Sequence, residues 1–481
     1  MASEDDRDWS ERLEDAAATL EAIVADRGLL ADLEADLRMR LLKAAGRVAR
    51  PTNTERRRQN RVQRARDRAR ERESDRRLAA QTRIRKLRDN PIFQTPRRRG
   101  IEPPGPSPSP GEYASERVCY VCRGRYREIH FFYDQLCPTC GDFNHDKRSQ
   151  TADLTGRVAL ITGSRVKIGY HAAILMLRAG CRVICTTRFP RDAARRYAAE
   201  EDFGVWGDRL EIVGIDLRRV GQVEALCEAL LGRLDRLDFI INNACQTVRR
   251  PPGFYGHLME RELLGLSCEA EGLVRSDLSR SGARSSAEWS QLPLLPGDAD
   301  AQAFPVGLLD ADQQQIDLRE INSWRLRMAE VPTLELLEVH LVNAVAPFIL
   351  NARLKPLMLA VPTADKHIVN VSAMEGQFYR TFKSDRHPHT NMAKASLNMM
   401  TRTSAADYVK DGIHMNSVDT GWITDEDPAQ HAERKREEHG FHPPLDIVDG
   451  AARIVDPILD GINTGDHVWG QFLKDYKPTD W

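Results

Sequence analysis

Val158-Ala-Leu-Ile-Thr-Gly-Ser-Arg-Val-Lys-Ile-Gly169 decides how this chain folds: a buried apolar run breaks at Gly163 and restarts as an apolar segment of helical period from Ile168 to Leu177. Strand, turn and helix in that order put a glycine where backbone can approach a phosphate. The helix start that follows offers free N–H groups and the positive end of its dipole. Two-glycine turns also join strands to helices with no ligand present, so the sequence beyond it matters. From Asp153 onward the two patterns alternate: Val158–Thr162 and a helix to Ala179, Arg182–Thr186 and a helix through Tyr197, Leu210–Ile215 and a helix from Val223 to Leu231, then Phe239–Asn242. That alternation predicts an α/β domain with a parallel, doubly wound sheet covered on both faces.

Upstream, composition changes twice. From Trp9 to Leu42 apolar residues recur at helical spacing between acidic ones (Leu13, Ala17, Leu20, then Leu33, Leu37, Leu41), which predicts one or two amphipathic helices over residues 1–50. From Glu55 to Arg99 there are 18 basic residues against 6 acidic ones and few apolar side chains, the composition of a solvated arm or a single charged helix that builds no core. Such an arm could neutralise nucleic-acid phosphates or meet a protein. It lacks aromatic residues for base stacking, and its Arg-Asp and Arg-Glu alternation partly neutralises itself. Pro96 to Pro110 reads as a stiff linker closing a segment over 51–113.

Residues 114–150 carry the metal signal. Cys119-Tyr-Val-Cys122 and Cys137-Pro-Thr-Cys140 are separated by 14 residues that include the β-prone run Glu128–Tyr133. Each pair aims two thiolates at one point, and a hairpin between them predicts a closed tetrahedral Zn²⁺ site, a small zinc ribbon. Four thiolates leave no position for water, so the site is structural; His130 and His145 stand close enough in sequence to replace a ligand. The other five of the nine cysteines are scattered, which suits free thiols better than a disulfide framework. With 481 residues, 29% charged and 41% hydrophobic, the chain is expected to form two or three units. No uninterrupted apolar run approaches the roughly 18 residues that span a bilayer. The start Met-Ala-Ser-Glu-Asp-Asp has no basic-then-apolar leader, so the expected location is cytoplasmic with no membrane partner.

Later motifs, in order, are Asp216-Leu217 after the third strand, Asn242-Asn-Ala-Cys245, Asn343 in Val-Asn-Ala-Val-Ala-Pro-Phe, Ser372 in Ile-Val-Asn-Val-Ser-Ala, Lys394 in Thr390-Asn-Met-Ala-Lys-Ala-Ser-Leu, and Gly421 in Asn416-Ser-Val-Asp-Thr-Gly-Trp-Ile-Thr424. With Thr162-Gly-Ser-Arg-Val-Lys-Ile-Gly169 they make the chain, from roughly Asp153 to Gly470, resemble the short-chain dehydrogenase/reductase family. The resemblance implies a Rossmann-type domain over 151–481 and an NAD(P)-dependent oxidoreductase. Thr162, Gly163, Arg165, Lys167, Ile168, Gly169, Asp216, Leu217, Asn242, Ala244, Lys394, Gly421 and Thr424 would hold the dinucleotide. Ser372 would hold a substrate carbonyl or hydroxyl, Lys394 the nicotinamide ribose, and Asn343 a water-linked proton path. The second strand ends Cys185-Thr-Thr-Arg188. Where NAD-binding members of this fold carry an acid stands Thr187, followed by Arg188 and later Arg191, which points to NADP.

Three departures qualify this. Lys167 stands at the family's middle glycine, where the loop is reshaped or the ammonium adds a phosphate contact. Residues 246–334 form a connection far longer than usual, of the kind that serves as a lid, an interaction loop or an excursion. Thr390 replaces the tyrosine of Tyr-x-x-x-Lys. A phenol can be drawn toward neutrality by an adjacent ammonium, whereas an aliphatic alcohol cannot, so Thr390 is a poor general acid. Tyr379, His387 and His389 lie nearby as substitute donors. Two readings follow: an oxidoreductase with a replaced proton donor acting on an unnamed small molecule, or a catalytically silent NADP-binding module serving protein or nucleic-acid interaction. Homo-oligomerisation is left open.

Overall fold

The computed structural model describes residues 4–96, 108–275, 280–281, 284–299, 302–379, 383–424 and 426–481. Most of the proline-rich linker, and the residues between Tyr379 and Lys383, lie outside these ranges. The chain forms two compact units, Met1–Ser74 and Asp75–Trp481.

The first unit holds helices α1 (Glu4–Ala25) and α2 (Ala35–Ala49) and the start of α3 (Asn53–Ala80). Their apolar stripes have the expected period, yet Leu13, Leu37 and Met39 are exposed and α2 buries no residue. In α3 the strong helix formers Arg, Glu, Gln and Ala sustain a long helix that stays exposed through Ser74.

The second unit departs from the expectation that 55–99 contributes to no core. Asp75 is buried and accepts from Ala114 N at 2.8 Å and Arg117 Nη2 at 2.9 Å. Ile84 of α4 (Arg83–Arg88) is fully buried, with Leu78, Ala79, Leu87 and Phe93 packed around it. The few apolar residues of this stretch share one face while Arg85 turns to pair with Asp134, so arginine-rich composition hid a packing face. Around them fold the hairpin β1 (Glu112–Val118) and β2 (Arg125–Glu128) and helix α5 (Pro138–Lys147). The expected strand Glu128–Tyr133 stops at Glu128. Beyond it the backbone turns, with His130 Nδ1 accepting from Phe132 N and Tyr133 N, so that Ile129, Phe132 and Tyr133 enter the core outside the β1–β2 ladder.

The main sheet has eight strands in the order β10-β9-β8-β7-β6-β3-β4-β5: β3 (Val158–Thr162), β4 (Arg182–Thr187), β5 (Leu210–Gly214), β6 (Phe239–Asn242), β7 (Lys366–Ser372), β8 (Ile413–Asp419), β9 (Phe472–Lys474) and β10 (Lys477–Thr479). All pairs are parallel except β9–β10. The last strand was expected at His467–Phe472; it begins at Phe472, where Gly470 ends the approach by donating to Met415 O. Both faces are covered. Helices α6 (Lys167–Arg178) and α7 (Pro190–Ala198) and the late helix Ile447–Thr464 close one apolar cluster, and α8 (Val220–Arg233), α9 (Thr333–His340), α10 (Ala346–Arg353) and α11 (Pro388–Tyr408) stand on the other side. Between α9 and α10 residues Leu341–Val345 form a π-helical turn. The stretch Thr333–Arg353 is long and apolar enough to cross a membrane by length and composition, although the sequence showed no uninterrupted run of that kind. In the structure it packs in the core through Val339, Ala346, Ile349 and Leu350.

The 246–334 connection is folded rather than splayed. Phe254, Tyr255, Leu258, Ala287 and Phe304 close over Phe189 at the end of β4, and Val274 makes a parallel bridge with Ile212 of β5.

Candidate active site and metal centre

The strand order reverses between β3 and β6, where doubly wound sheets bind ligands beyond the carboxyl ends of the strands. There the glycine turn is built by close approach. A Cβ on Gly163 (φ +67°) would lie 2.7 Å from Ala244 Cα, and one on Gly169 would lie 2.4 Å from Gly163 O and 2.2 Å from Asn243 Nδ2. Asn243 Nδ2 donates to Thr162 O and Gly163 O, and Ala244 N to Thr162 Oγ1, so the Asn-Asn-Ala motif pins the turn. Lys167 takes a left-handed φ of +57°, the backbone a glycine supplies in the family pattern. Helix α6 starts with it, with no side-chain cap and no acidic residue in its first turn, which leaves its N–H groups and dipole facing the opening.

That opening is a cavity of about 360 Å³. It is lined by the turn, by Ile168, Ile423 and Thr424, and by five cations, Arg165, Lys167, Arg188, Arg218 and Arg250. An anionic dinucleotide fits this lining: uncapped helix N–H groups at one end, a guanidinium at the other, and a sheet edge between. Arg188 reaches Tyr255 Oη at 2.5 Å and lies over its ring. Arg165 is buried between Asp192 (2.8 Å) and Gln314 (2.5 Å), not turned to solvent; burial lowers its pKa and Asp192 opposes that. Burial also pulls Lys167 down, but Asp312 and Glu426 overcome it and leave the ammonium pKa raised. Asp216 reaches the lining with its carboxylate already held by Arg218, which outweighs burial and lowers its pKa. Leu217 lines the same wall.

Of the expected ligands of the dinucleotide, Thr162, Lys394 and Gly421 stand outside the cavity lining, and two more turn to other partners. Asn242 points into the sheet and donates to Asn351 Oδ1 and Asn370 Oδ1, both at 2.8 Å, a buried amide cluster away from the cavity lining. Arg191 turns to Glu271 and Leu264 O. Gly421 (φ +82°) shapes the bend after β8, and Thr424 donates to Glu426 at 2.7 Å.

A second cluster lies at the carboxyl end of β7 and the start of α11. Ser372, Thr390, Lys394 and Asn343 are all buried. Lys394 Nζ donates to Val371 O at 2.7 Å, beside Ser372. Asn343, on the π-helical turn, accepts from Gln246 N at 2.7 Å; the widened turn carries the amide to the end of β6. Ser372 Oγ and Thr390 Oγ1 are buried with no hydrogen-bond partner among the described residues. Tyr379 is 93% exposed and is not brought to this cluster. His387, with a left-handed φ of +41°, stacks on Trp324 at 3.9 Å. His389 is buried in the first turn of α11, with Nε2 3.3 Å from Glu335 Oε1, near enough for an ion pair but not aligned as a hydrogen bond. Burial pushes Glu335 up, and His389 and Ser323 more than reverse this, so its pKa is lowered. Nothing in the sequence joins Glu335 to His389, 54 positions apart; the crossing of α9 and α11 does. Asp419, the register partner of Ser372, was also missed; burial raises its pKa and Lys474 Nζ stands 3.6 Å away.

The four cysteine sulfurs converge. Cys119, Cys122, Cys137 and Cys140 offer Sγ atoms all within 4.8 Å of one another, and Cys122 and Cys137 are 3.8 Å apart, the edge of a tetrahedron with about 2.3 Å metal–sulfur bonds. The first pair sits at the β1–β2 turn and the second opens α5, so hairpin and helix together, not a hairpin between the pairs, build the site. The Gly124 amide lowers the Cys122 thiol to about 7, while burial raises Cys137 and Cys140, a set that a divalent cation would deprotonate together. His130 is held by Phe132 N, Tyr133 N and Asp142, so it is no ligand.

Residues 157–255 match the short chain dehydrogenase model, and residues 322–443 match the enoyl-(acyl carrier protein) reductase model. The chain is 31% identical over 359 residues to the uncharacterized protein R665 of Acanthamoeba polyphaga mimivirus, covering 72% of each. It is 33% identical over 106 residues to a short chain dehydrogenase/reductase of Colletotrichum higginsianum, 22% of this chain and 26% of that one. The Pseudomonas aeruginosa RhlG/NADP active-site complex shares 18% identity at a TM-score of 0.44, covering 67% of this chain and 95% of that one. With the doubly wound sheet, the glycine turn and the Ser372–Lys394 pair, the two family-model matches define an oxidoreductase class of the nucleotide-binding fold. The chain belongs to the short-chain dehydrogenase/reductase family.

Proposed function

We propose that the protein is an NADP-dependent oxidoreductase in which His389, backed by Glu335, takes over the proton transfer that Thr390 cannot perform, and that its four clustered cysteines hold a structural zinc ion. One observation carries the reading: Ser372 Oγ, Thr390 Oγ1 and His389 Nδ1 are buried without hydrogen-bond partners among the described residues. Orphaned buried polar groups cost free energy, and three at one strand–helix junction are kept where a substrate completes them.

Within this reading the bound cofactor supplies the hydride. Arg188 would hold the 2′-phosphate, the α6 N-terminus the pyrophosphate, and Lys394 the nicotinamide ribose. Ser372 donates to the substrate oxygen, and the His389 imidazolium, steadied by the Glu335 carboxylate, delivers the proton to the alkoxide. The exposed α3 arm is proposed to make salt-sensitive contacts with nucleic acid or protein, and its binding should weaken steeply with added salt.

The test is NADPH oxidation by purified protein against a panel of aldehydes and ketones, with metal analysis on the same sample. Turnover with one zinc per chain is expected. Tight NADP binding with no turnover, unchanged in Thr390→Tyr, would instead support a silent nucleotide-binding module, a reading favoured by the absence of Ser372, Thr390 and Lys394 from the cavity lining.

A further inference from the structure

The metal module and the nucleotide cavity share a wall. The apolar core built on Cys119, Tyr126, Phe132 and Tyr133 continues without a break into Ile168, Ile423 and Ile447, and these three isoleucines also line the cavity. Ile168 belongs to the first turn of α6, Ile423 to the segment after Gly421, and Ile447 opens α12 (Ile447–Thr464, following the exposed helix Ala429–His439).

Polar contacts tie the same surfaces. Trp422 N donates to Tyr120 Oη at 2.9 Å, and Tyr120 stands between the first two cysteines. Its ring lies 5.3 Å from Lys474 Nζ, the ammonium that approaches Asp419, so one side chain of the module touches both the bend after β8 and the cation behind it. Further along, Arg148 grips Asp446 through two bonds of 2.6 and 2.9 Å and Asp449 through one of 2.8 Å, and Tyr133 Oη donates to Asp449 at 2.5 Å. Gln135 Nε2 reaches His442 O at 2.8 Å. The bend at residues 421–423 and the start of α12 therefore lean on the metal module.

We infer that Tyr120 is a positioning residue for the dinucleotide and that the four-cysteine centre sets the affinity of one half of the cavity, a step that rests on the NADP and zinc readings above. The half concerned is the Ile423–Thr424 end, which would hold the nicotinamide side of the cofactor if Arg188 holds the 2′-phosphate. Among the described residues, Arg188, Asp216 and Tyr255 take their contacts from Phe189, Arg218 and Phe254 and not from the module. Affinity for an adenosine fragment should then be independent of Tyr120, while affinity for the whole dinucleotide should depend on it. A defect that merely loosened the fold would weaken both ligands together.

Calorimetry on the full chain decides this with NADP and with adenosine 2′,5′-bisphosphate as probes. Tyr120→Phe is expected to keep one zinc per chain, to bind the bisphosphate within twofold of wild type, and to bind NADP about fivefold to tenfold more weakly, the range of one lost hydrogen bond. Removing zinc with a chelator should weaken NADP further and leave the bisphosphate. Equal losses for both ligands, or none for either, would overturn the inference. If wild-type protein binds neither ligand, the dinucleotide reading itself falls and hydrogen exchange judges the wall: faster exchange at 420–424 in Tyr120→Phe supports the positioning role, and unchanged exchange removes it.

Discussion

The cavity and the reactive cluster lie on the same sheet edge but are made in different ways. The cavity is backbone and charge: a turn pinned by Asn243, an uncapped helix, and guanidinium groups steadied by carboxylates, an amide or a phenol. The reactive cluster is a meeting of side chains from β7, α9, α11 and a π-helical turn, with several polar atoms left without partners. A binding site built locally survives substitution of single residues around it. A proton path built across helices fails with one atom and is replaced by another group that already faces it.

The sharpest way to break the comparison is at His389. His389→Ala should lower kcat by about 10²- to 10⁴-fold while NADP affinity stays within twofold, because a general acid contributes to the transition state and not to cofactor binding. Tyr379→Phe should change neither, given its exposure. Loss of NADP binding in His389→Ala would show that the two regions are not separable.

The converse break is Gly169→Ala. The new Cβ meets Gly163 O and an amide that is itself bonded to two carbonyls, so the turn must move. The cost should reach about 3 kcal/mol, the upper part of what overpacking usually costs, with NADP binding lost. Thermal unfolding and calorimetry on the variant measure both. An unchanged melting temperature would mean the turn is looser than its contacts.

Sequence legibility follows the same division. The doubly wound sheet, the glycine turn and the four metal-directed cysteines could be read because each is a short-range pattern: alternating periods, a strand–turn–helix, paired Cys-x-x-Cys. The Ser372, Lys394 and Asn343 positions came from ordered motifs. What stayed hidden was contact between distant segments. Glu335 meets His389 only because α9 crosses α11, and Ile84 is core only because its arginine neighbours face outward. Tyr379 lies near Thr390 in sequence but is exposed, and the Asn242 amide, expected at the cofactor, turns into the sheet.

Arg188 tests the cavity more gently. Arg188→Ala should weaken NADP about tenfold to a hundredfold and leave NAD within twofold, since a charge-assisted bond to the 2′-phosphate is lost and nothing else in the turn moves. Equal weakening of both cofactors would assign Arg188 to packing on Tyr255 instead.

The smallest expected effect lies behind the cavity, on α6. His171 is buried beneath the turn helix with the Phe93 ring edge-on at 4.8 Å, and burial, aided by Arg178 and Arg148 against the opposing pull of Asp446, lowers its pKa to about 3. A base whose folded pKa lies below its unfolded value near 6.5 is bound by protons in the unfolded chain first. Its contribution is therefore complete above about pH 6.5 and is lost as pH falls from there toward 3. Between pH 7 and pH 5 this amounts to on the order of 1 kcal/mol. His171→Leu removes the titrating group while keeping an apolar filler, so its melting temperature should fall less than that of wild type over the same interval. Because the imidazole stays neutral in the folded protein at pH 5, NADP affinity should change alike in wild type and variant over this interval. Parallel melting curves with equal slopes in pH would show that His171 is protonated or solvated in the native protein, and that the helix behind the cavity is less tightly packed than its contacts indicate.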